Sequence, residues 1–455
     1  MSHTVASPAA PAARDPREER KVLAGTLVGT TIEWYDFFIY AQAAALVLGP
    51  LFFAPMGEGG AQIASWASLG ISFLVRPLGA IVAGHMGDRF GRKIVLAITL
   101  IGMGAATVLI GLLPTYAQIG IAAPILLVLL RLVQGFSAGG EWGGAALLAV
   151  EHAPRGKRGL FGSAPQIGVP LGMIVATAVL FLVRANMTDE QFLAWGWRIP
   201  FLISFVLIIV GTIIRKAVEE SPVFKEMQQL KKDETAPLGE LFRNHTKTVV
   251  LAALIFAANN AIGYLVIAWF AKYGGPKGLG LSASEVLTAS LVGGFGWFIF
   301  TLFGGWISDR IGRRLTFQIG YVILILWSVP MFLMMNTASL PLFAAALFIL
   351  TIGLGPSYGP QSAMYAEMFP AKVRFSGVSI GYAIGAIIGG AFAPLIADLL
   401  LPRGWAWVAG YMILISLVSL AAVSMVPKGI QDRNLHDHEH DELGVDPIED
   451  AALRH

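Results

Sequence analysis

The decapeptide GHMGDRFGRK, Gly84 to Lys93, decides how this chain is organised, because it returns as GWISDRIGRR at Gly305 to Arg314. Both copies read G-x-x-x-D-R-x-G-R followed by Lys or Arg, and they begin 221 residues apart. A second pair, EHAPRGKR (Glu151 to Arg158) and EMFPAKVR (Glu367 to Arg374), shares E-x-x-P-x-x-x-R at an offset of 216 residues. Two motifs recurring at nearly one spacing imply that one half of the chain repeats the other. Apolar segments surround them, near 22–52, 62–87, 94–114, 121–150, 159–183, 199–217, 247–271, 282–305, 315–336, 339–368, 376–401 and 405–427. Most approach the roughly 20 apolar residues that a helix needs to cross a bilayer. The motifs follow the second and fourth segment of each half. The expected fold is therefore an all-α membrane protein of twelve transmembrane helices in two parallel six-helix repeats. In such folds the binding site lies between the repeats near mid-membrane.

Composition agrees. The 455 residues are 56% hydrophobic and only 13% charged, against about 25% charged in soluble domains. No ten-residue alternation of the kind that builds a transmembrane barrel is present, so the spans must be helices. With no cysteine in the chain, disulfides, thiol catalysis and cysteine metal sites are excluded. The net charge of +3 is spread over short loops, which gives no nucleic-acid patch. Residues 1–21, Pro/Ala-rich and without a signal-peptide order, read as a disordered tail, and 428–455 as another. Between them lie bundles at 22–217 and 247–427, joined by a polar linker at 218–246. Of 32 Lys and Arg, 25 fall on the side of the two tails, 5 on the other and 2 within spans. The positive-inside rule then places both termini in the cytoplasm of a multi-pass cell-membrane protein. HDHEHDE, His436 to Glu442, is too short and acidic for a convincing metal site.

Five ionisable residues lie well inside spans of the first half: Glu33, Asp36, Arg76, Arg131 and Glu141. Each costs roughly 2.5–3.5 kcal/mol to insert, so each marks function or a partner. The core of the second half offers neutral polar groups instead. At about 100° per residue, Arg131, Gln134, Ala138 and Glu141 form one polar stripe, and Glu33, Asp36 and Tyr40 share a face of the first span. Asp36 is expected to carry the coupling proton with Arg131 as its partner, and Glu33 and Glu141 belong to the same group. The competing reading is a static ion-pair cluster. For an anionic substrate Arg76 is the first candidate and Arg131 the second, since arginine matches a carboxylate bidentately. A pair between Arg76 and Glu33 or Glu141 is the equal alternative. Further candidate contacts are Gln134, Gln166, Asn259, Asn260, Tyr264, Tyr358, Gln361 and Tyr382, each of which could instead be a helix-packing hydrogen bonder.

The duplicated loop motif resembles the signature of the major facilitator superfamily. EWYDFFIY (33–40), RPLGA (76–80), RLVQGFSAGGEWGGAALLAVEHAP (131–154) and YGPQSAMYAEMFPAKVRFSGVSIGYAIGAIIGGAFAP (358–394) are similar to its metabolite:proton symporter family. GGEWGGAALL and QFLAWGWRIPFL (191–202) look most like the shikimate permease branch. The resemblance implies a proton-coupled symporter that imports a small polar metabolite by alternating access, a carboxylate such as shikimate or a related organic acid. It implies no cofactor beyond the proton and a monomeric functional unit. An exporter, an exchanger or a proline/betaine carrier is the alternative, and a membrane sensor on a transporter scaffold a remote one. The resemblance also implies a cytoplasmic gate. In it Asp88 and Asp309 meet a helix N-terminus of the other half, Arg92 pairs with Glu151 and Arg313 with Glu367, and Arg158 and Arg374 complete the repeated loops. No P-loop or nucleophile–base set occurs in the sequence, which argues against a pump or an enzyme.

Overall fold

A computed structural model of the chain describes residues 16–90, 92–154, 156–216, 237–371, 373–432 and 435. Residues 1–15, most of the linker and the HDHEHDE segment lie outside the described residues, as do the side chains of Asp88 and Arg92. Every regular element among the described residues is helical. The spans are α1 (Pro16–Leu46), α2 (Gly57–Phe90), α3 (Arg92–Leu112), α4 (Ala122–Glu151), α5 (Arg158–Ala185), α6 (Arg198–Lys216), α7 (Thr246–Gly274), α8 (Ala283–Ile311), α9 (Arg313–Met335), α10 (Leu340–Leu354 continued by Gln361–Met368), α11 (Arg374–Arg403) and α12 (Trp405–Ser424). Nine described helices are long and apolar enough to cross a bilayer alone, and a pair bent by 46° at Trp197 makes a tenth. The remaining two are α1, which carries Glu33 and Asp36 in its middle, and α10, broken at the glycine- and proline-rich stretch 355–360. The twelve-helix expectation holds.

Packing follows the sequence repeat. Within the first half α1 lies on α5, α2 on α4 and α3 on α6; the second half repeats this with α7 on α11, α8 on α10 and α9 on α12. The halves meet where α5 crosses α8 and where α2 crosses α11, two crossings that the pseudo-twofold exchanges. Both need glycine. A Cβ on Gly305 would stand 2.6 Å from the Ser163 Cβ and 2.7 Å from the Gly159 carbonyl oxygen, and one on Gly70 would overlap the Ala391 oxygen. Without a hydrophobic drive between helices in lipid, such close backbone approach is what holds spans together. Large apolar side chains such as Leu326, Leu414 and Ile213 are more than three-fifths exposed on the outer faces. Apolar surface on that scale requires a lipid environment.

Candidate functional site

Glu33, Asp36, Arg76, Arg131 and Glu141 are all buried, and the direction each faces decides what it can do. Arg76, 2% exposed, leaves α2 toward the other half. Its guanidinium carbon lies 4.3 Å from the Phe37 ring centre, 4.1 Å from Phe73 and 5.7 Å from Trp34. Cation–π attraction of this kind can hold a guanidinium while leaving its N–H edges open. Nε and Nη2, the two nitrogens that point along one edge, have no hydrogen-bond partner. The Tyr264 hydroxyl of α7 stands beside this group without a well-formed hydrogen bond to it, and its ring meets Phe73 edge-on at 5.1 Å. Glu33, one turn along α1, is close enough to Tyr264, Tyr358 and Tyr382 to interact electrostatically with each. Arg76 and Glu33 therefore flank the same tyrosine.

Next to Tyr264 a narrow cleft between the halves is lined by Trp34 and Val169 from the first half and by Phe256, Asn259, Asn260, Gly263, Tyr264, Ile267, Trp297 and Tyr358 from the second. Around it, the indole N–H groups of Trp34 and Trp297 are buried without partners, and the hydroxyls of Tyr264 and Tyr382 lie near Arg76 and Tyr358 without a well-formed hydrogen bond. Buried polar groups are ordinarily satisfied, so this concentration of unused donors is where a ligand rich in acceptors would be held. One side of the region is closed by a column of rings: Tyr382 is stacked between Trp142 of α4 at 3.9 Å and Phe256 of α7 at 4.5 Å. The Trp142 indole donates to the Gln166 Oε1 at 2.7 Å, and Gln166 Nε2 donates across to the Tyr358 carbonyl oxygen at 3.1 Å and Gln361 Oε1 at 3.2 Å. Asn259 and Asn260, two of the expected contacts, donate to backbone at Leu354 (3.0 Å) and Ala386 (3.2 Å).

Asp36 and Arg131 do not form the expected pair. Arg131 directs its nitrogens to neutral acceptors: Gln134 Oε1 (2.6 Å), Ser72 Oγ (2.7 Å), and the carbonyls of Leu69 (3.1 Å) and Ser68 (3.3 Å). Its guanidinium lies 3.8 Å over the Tyr40 ring. Asp36 instead accepts a hydrogen bond from Ser204 of α6 and has Thr107 of α3 within reach. Gln134 Nε2 donates to that same Thr107 hydroxyl at 2.7 Å, so the acid and the arginine are joined through Thr107 and Gln134. The reason is helix rotation. At about 100° per residue, Asp36 is turned some 60° from Glu33, enough to direct it into the first half while Glu33 faces the interface. The polar stripe on α4 is also divided. Thr99 of α3 donates to Glu141 at 2.9 Å, and the regular helix of α4 is interrupted at Gly139–Gly140. Gln134 and Arg131, both expected at the substrate, have their polar atoms engaged inside the first half.

At the end of the bundle that carries the repeated motifs, the halves are clamped. The Asp309 carboxylate accepts from the backbone N–H groups of Gly159 (2.8 Å) and Leu160 (2.9 Å), at the start of α5 in the other half. A carboxylate is favoured there by free amides and by the helix dipole. Arg313 donates to both oxygens of Glu367 at 3.2 Å and to Asp309 at 2.7 Å. Arg158 reaches Glu367 from the first half at 3.9 Å. Arg374 turns from the gate and donates to the carbonyls of Phe369 (3.2 Å) and Leu435 (3.4 Å). Glu151 is buried at the end of α4.

The structure thus has two six-helix halves that meet around a cleft, with ties built from the repeated motifs at one end. A family model described as Major Facilitator Superfamily matches residues 26–374. The chain belongs to that superfamily. It is 42% identical over 381 residues to the inner membrane metabolite transport protein YhjE of Escherichia coli (strain K12), covering 83% of this chain and 87% of that protein. It is 37% identical to the shikimate transporter of the same strain (88% and 92% covered) and 32% identical to the proline/betaine transporter of Salmonella typhimurium (strain LT2) (91% and 85%). Among solved structures, the proton:xylose symporter XylE bound to 6-bromo-6-deoxy-D-glucose superposes with a TM-score of 0.74 at 16% identity, over 90% of this chain and 95% of that one. A partially occluded inward-open form of XylE from E. coli gives 0.70 at 15%. These likenesses to XylE speak for the fold alone. This superfamily member is a membrane transporter of small metabolites and not an enzyme. Sequence reasoning missed Trp142, Thr107 and Ser204, whose partners lie on other spans and leave no local pattern.

Proposed function

We propose that the protein is a proton-coupled symporter that takes up a small organic acid, with shikimate or a related hydroxylated carboxylate as its substrate. The observation that carries this reading is the open Nε–Nη2 edge of Arg76. It is buried at the half interface and held by aromatic rings, and it offers two parallel N–H groups of the spacing a carboxylate accepts. The unused indole and phenol donors around the cavity suit ring hydroxyls, and the similarity to a shikimate transporter points the same way. Asp36 is the proton-carrying acid in this reading. Its link to the substrate side runs through Thr107 and Gln134 to Arg131, and the proton is the only coupling partner required. The end bearing Asp309 and both termini face the cytoplasm, where the excess of basic residues lies, and the monomer is the working unit.

The test is uptake of labelled shikimate into proteoliposomes under an imposed inward proton gradient, with oxoglutarate, citrate, protocatechuate and betaine as competitors. Accumulation that collapses with an uncoupler and is blocked by unlabelled shikimate alone supports the reading. Asp36→Asn should abolish accumulation while leaving exchange; intact accumulation in that variant would remove Asp36 from the coupling role. Competition by betaine, with none by shikimate, would move the substrate to the compatible solutes.

A further inference from the structure

The end of the bundle opposite the motif latch is also closed, by residues that neither the duplicated motifs nor the substrate reading account for. Asp398 is the acid of the last turns of α11, and its side chain is 11% exposed. Both oxygens are occupied: Oδ1 accepts from the Trp269 indole of α7 at 2.8 Å, and Oδ2 accepts from the Trp66 indole of α2 at 2.8 Å and pairs with Lys272. Trp269 and Lys272 belong to the same half as Asp398. Trp66 belongs to the other half and is itself 1% exposed. An inter-half ion pair at this end, Lys277 with Glu58, is more than 80% exposed at the Lys and 80% at the Glu, so it contributes little.

The segments behind Asp398 are separate pieces of helix. α11 breaks at 390–392, so that Asp398 rides on the short helix Ala393–Leu400, and α7 passes through a π-helical turn, Leu265–Trp269, before its last segment, Phe270–Gly274. These outer pieces pack on each other, and Asp398 ties them internally through Trp269 and Lys272. Gly70, one turn inward of Trp66, nearly touches the backbone at the α11 break.

We propose that Asp398 is the outer latch of the carrier. The outer ends of α7 and α11 move as one unit held together by Asp398, Trp269 and Lys272. The Trp66 hydrogen bond fastens that unit to the first half, and its release opens the cavity to the outside. Asp309 and Asp398 are then counterparts at opposite ends, each an acid of the second half: Asp309 accepts two backbone N–H groups from the first half and Asp398 one indole N–H.

The chain has no cysteine, so a single introduced thiol reports accessibility directly. Ile267→Cys places one at a buried cavity position inward of the latch, to be labelled from outside in right-side-out vesicles with a membrane-impermeant maleimide. No substrate is needed, so failure here and failure of the substrate reading are told apart. Trp66→Phe should raise the labelling rate about three- to tenfold, the population shift from losing roughly one net hydrogen bond in one of two states. Gly70→Ala leaves the latch residues intact but wedges the α2–α11 crossing, and should also raise it; this variant carries the test if Trp66→Phe does not reach the membrane. Asp309→Asn, which releases the opposite end, should lower it. Labelling unchanged or slowed in both outer variants overturns the proposal. So does labelling that rises equally in Asp309→Asn, because that would be general loosening.

Discussion

Replacing Asp309 by Asn tests the motif latch in isolation, because the substitution keeps shape and removes charge. In the closed form the carboxylate receives the amides of Gly159 and Leu160 at 2.8 and 2.9 Å. Asparagine can accept from only one of them, so one charge-assisted bond is lost, about 1.5–3 kcal/mol. The favourable placement of negative charge at the start of α5 goes too, about 0.3–1 kcal/mol. Arg313 is not stranded, since Glu367 still accepts from it on two nitrogens. The sum is about 2–4 kcal/mol against the closed state, and at 1.4 kcal/mol per tenfold the open population should rise at least about 30-fold until it saturates. Ser362→Cys supplies the reporter: Ser362 is fully buried, its hydroxyl has no partner, and it faces Gly162 across the interface. In inside-out vesicles an impermeant maleimide should label the thiol introduced there far faster in the Asp309→Asn background than in the parent. A rate within twofold of the parent would mean that the two amide bonds do not hold the halves together.

Three other outcomes follow from the same geometry. Gly159→Ala should imitate Asp309→Asn in the labelling assay, because its Cβ would overlap the Ser308 oxygen and fall 2.5 Å from both Arg313 Nη1 and the Gly305 oxygen. Arg76→Lys keeps the charge but loses the two-nitrogen edge; if that edge binds carboxylate, substrate affinity in equilibrium binding should fall about 10- to 100-fold, the worth of one charged hydrogen bond. Glu367→Ala leaves Arg313 buried without its bidentate partner and should destabilise the detergent-purified protein by about 3–5 kcal/mol, read as a lowered midpoint of thermal unfolding; an unchanged midpoint would show that Asp309 alone satisfies Arg313.

What could be read from the chain alone was whatever repeats or is confined to one helix. The twelve spans and the division into halves follow from hydropathy and from two motifs at a common offset. Asp309 and Arg313 stood out because their decapeptide occurs twice. Distances between helices are a different matter. Asp36 and Arg131 are a chemically natural pair, yet an offset of some 60° from Glu33 along α1 sends Asp36 to Ser204 and leaves Arg131 with Gln134, Ser72 and two carbonyls. The spacing gives that offset, but nothing in the sequence says which of the two acids faces the interface. Trp66 and Asp398 are 332 positions apart, and neither lies in a motif, so only the folded chain puts an indole against that acid. Arg76 was equally balanced between a partner and a ligand on sequence, because two of the three rings that surround it, Trp34 and Phe37, come from another span.

The broken helix α10 invites the idea of a joint that flexes, and its hydrogen bonds argue for a bracket instead. The Leu354 carbonyl, freed by the break, is held by Asn259 from α7 at 3.0 Å and by Ser357, while the Tyr358 carbonyl is held by Gln166 of the other half. The first tie stays within one rocking body and the second spans two. When the carrier turns inward, Gln166 must let go and Asn259 need not. Substitutions at these two positions should therefore divide: at Asn259 the shape of the second bundle suffers first, and at Gln166 the tempo of the cycle.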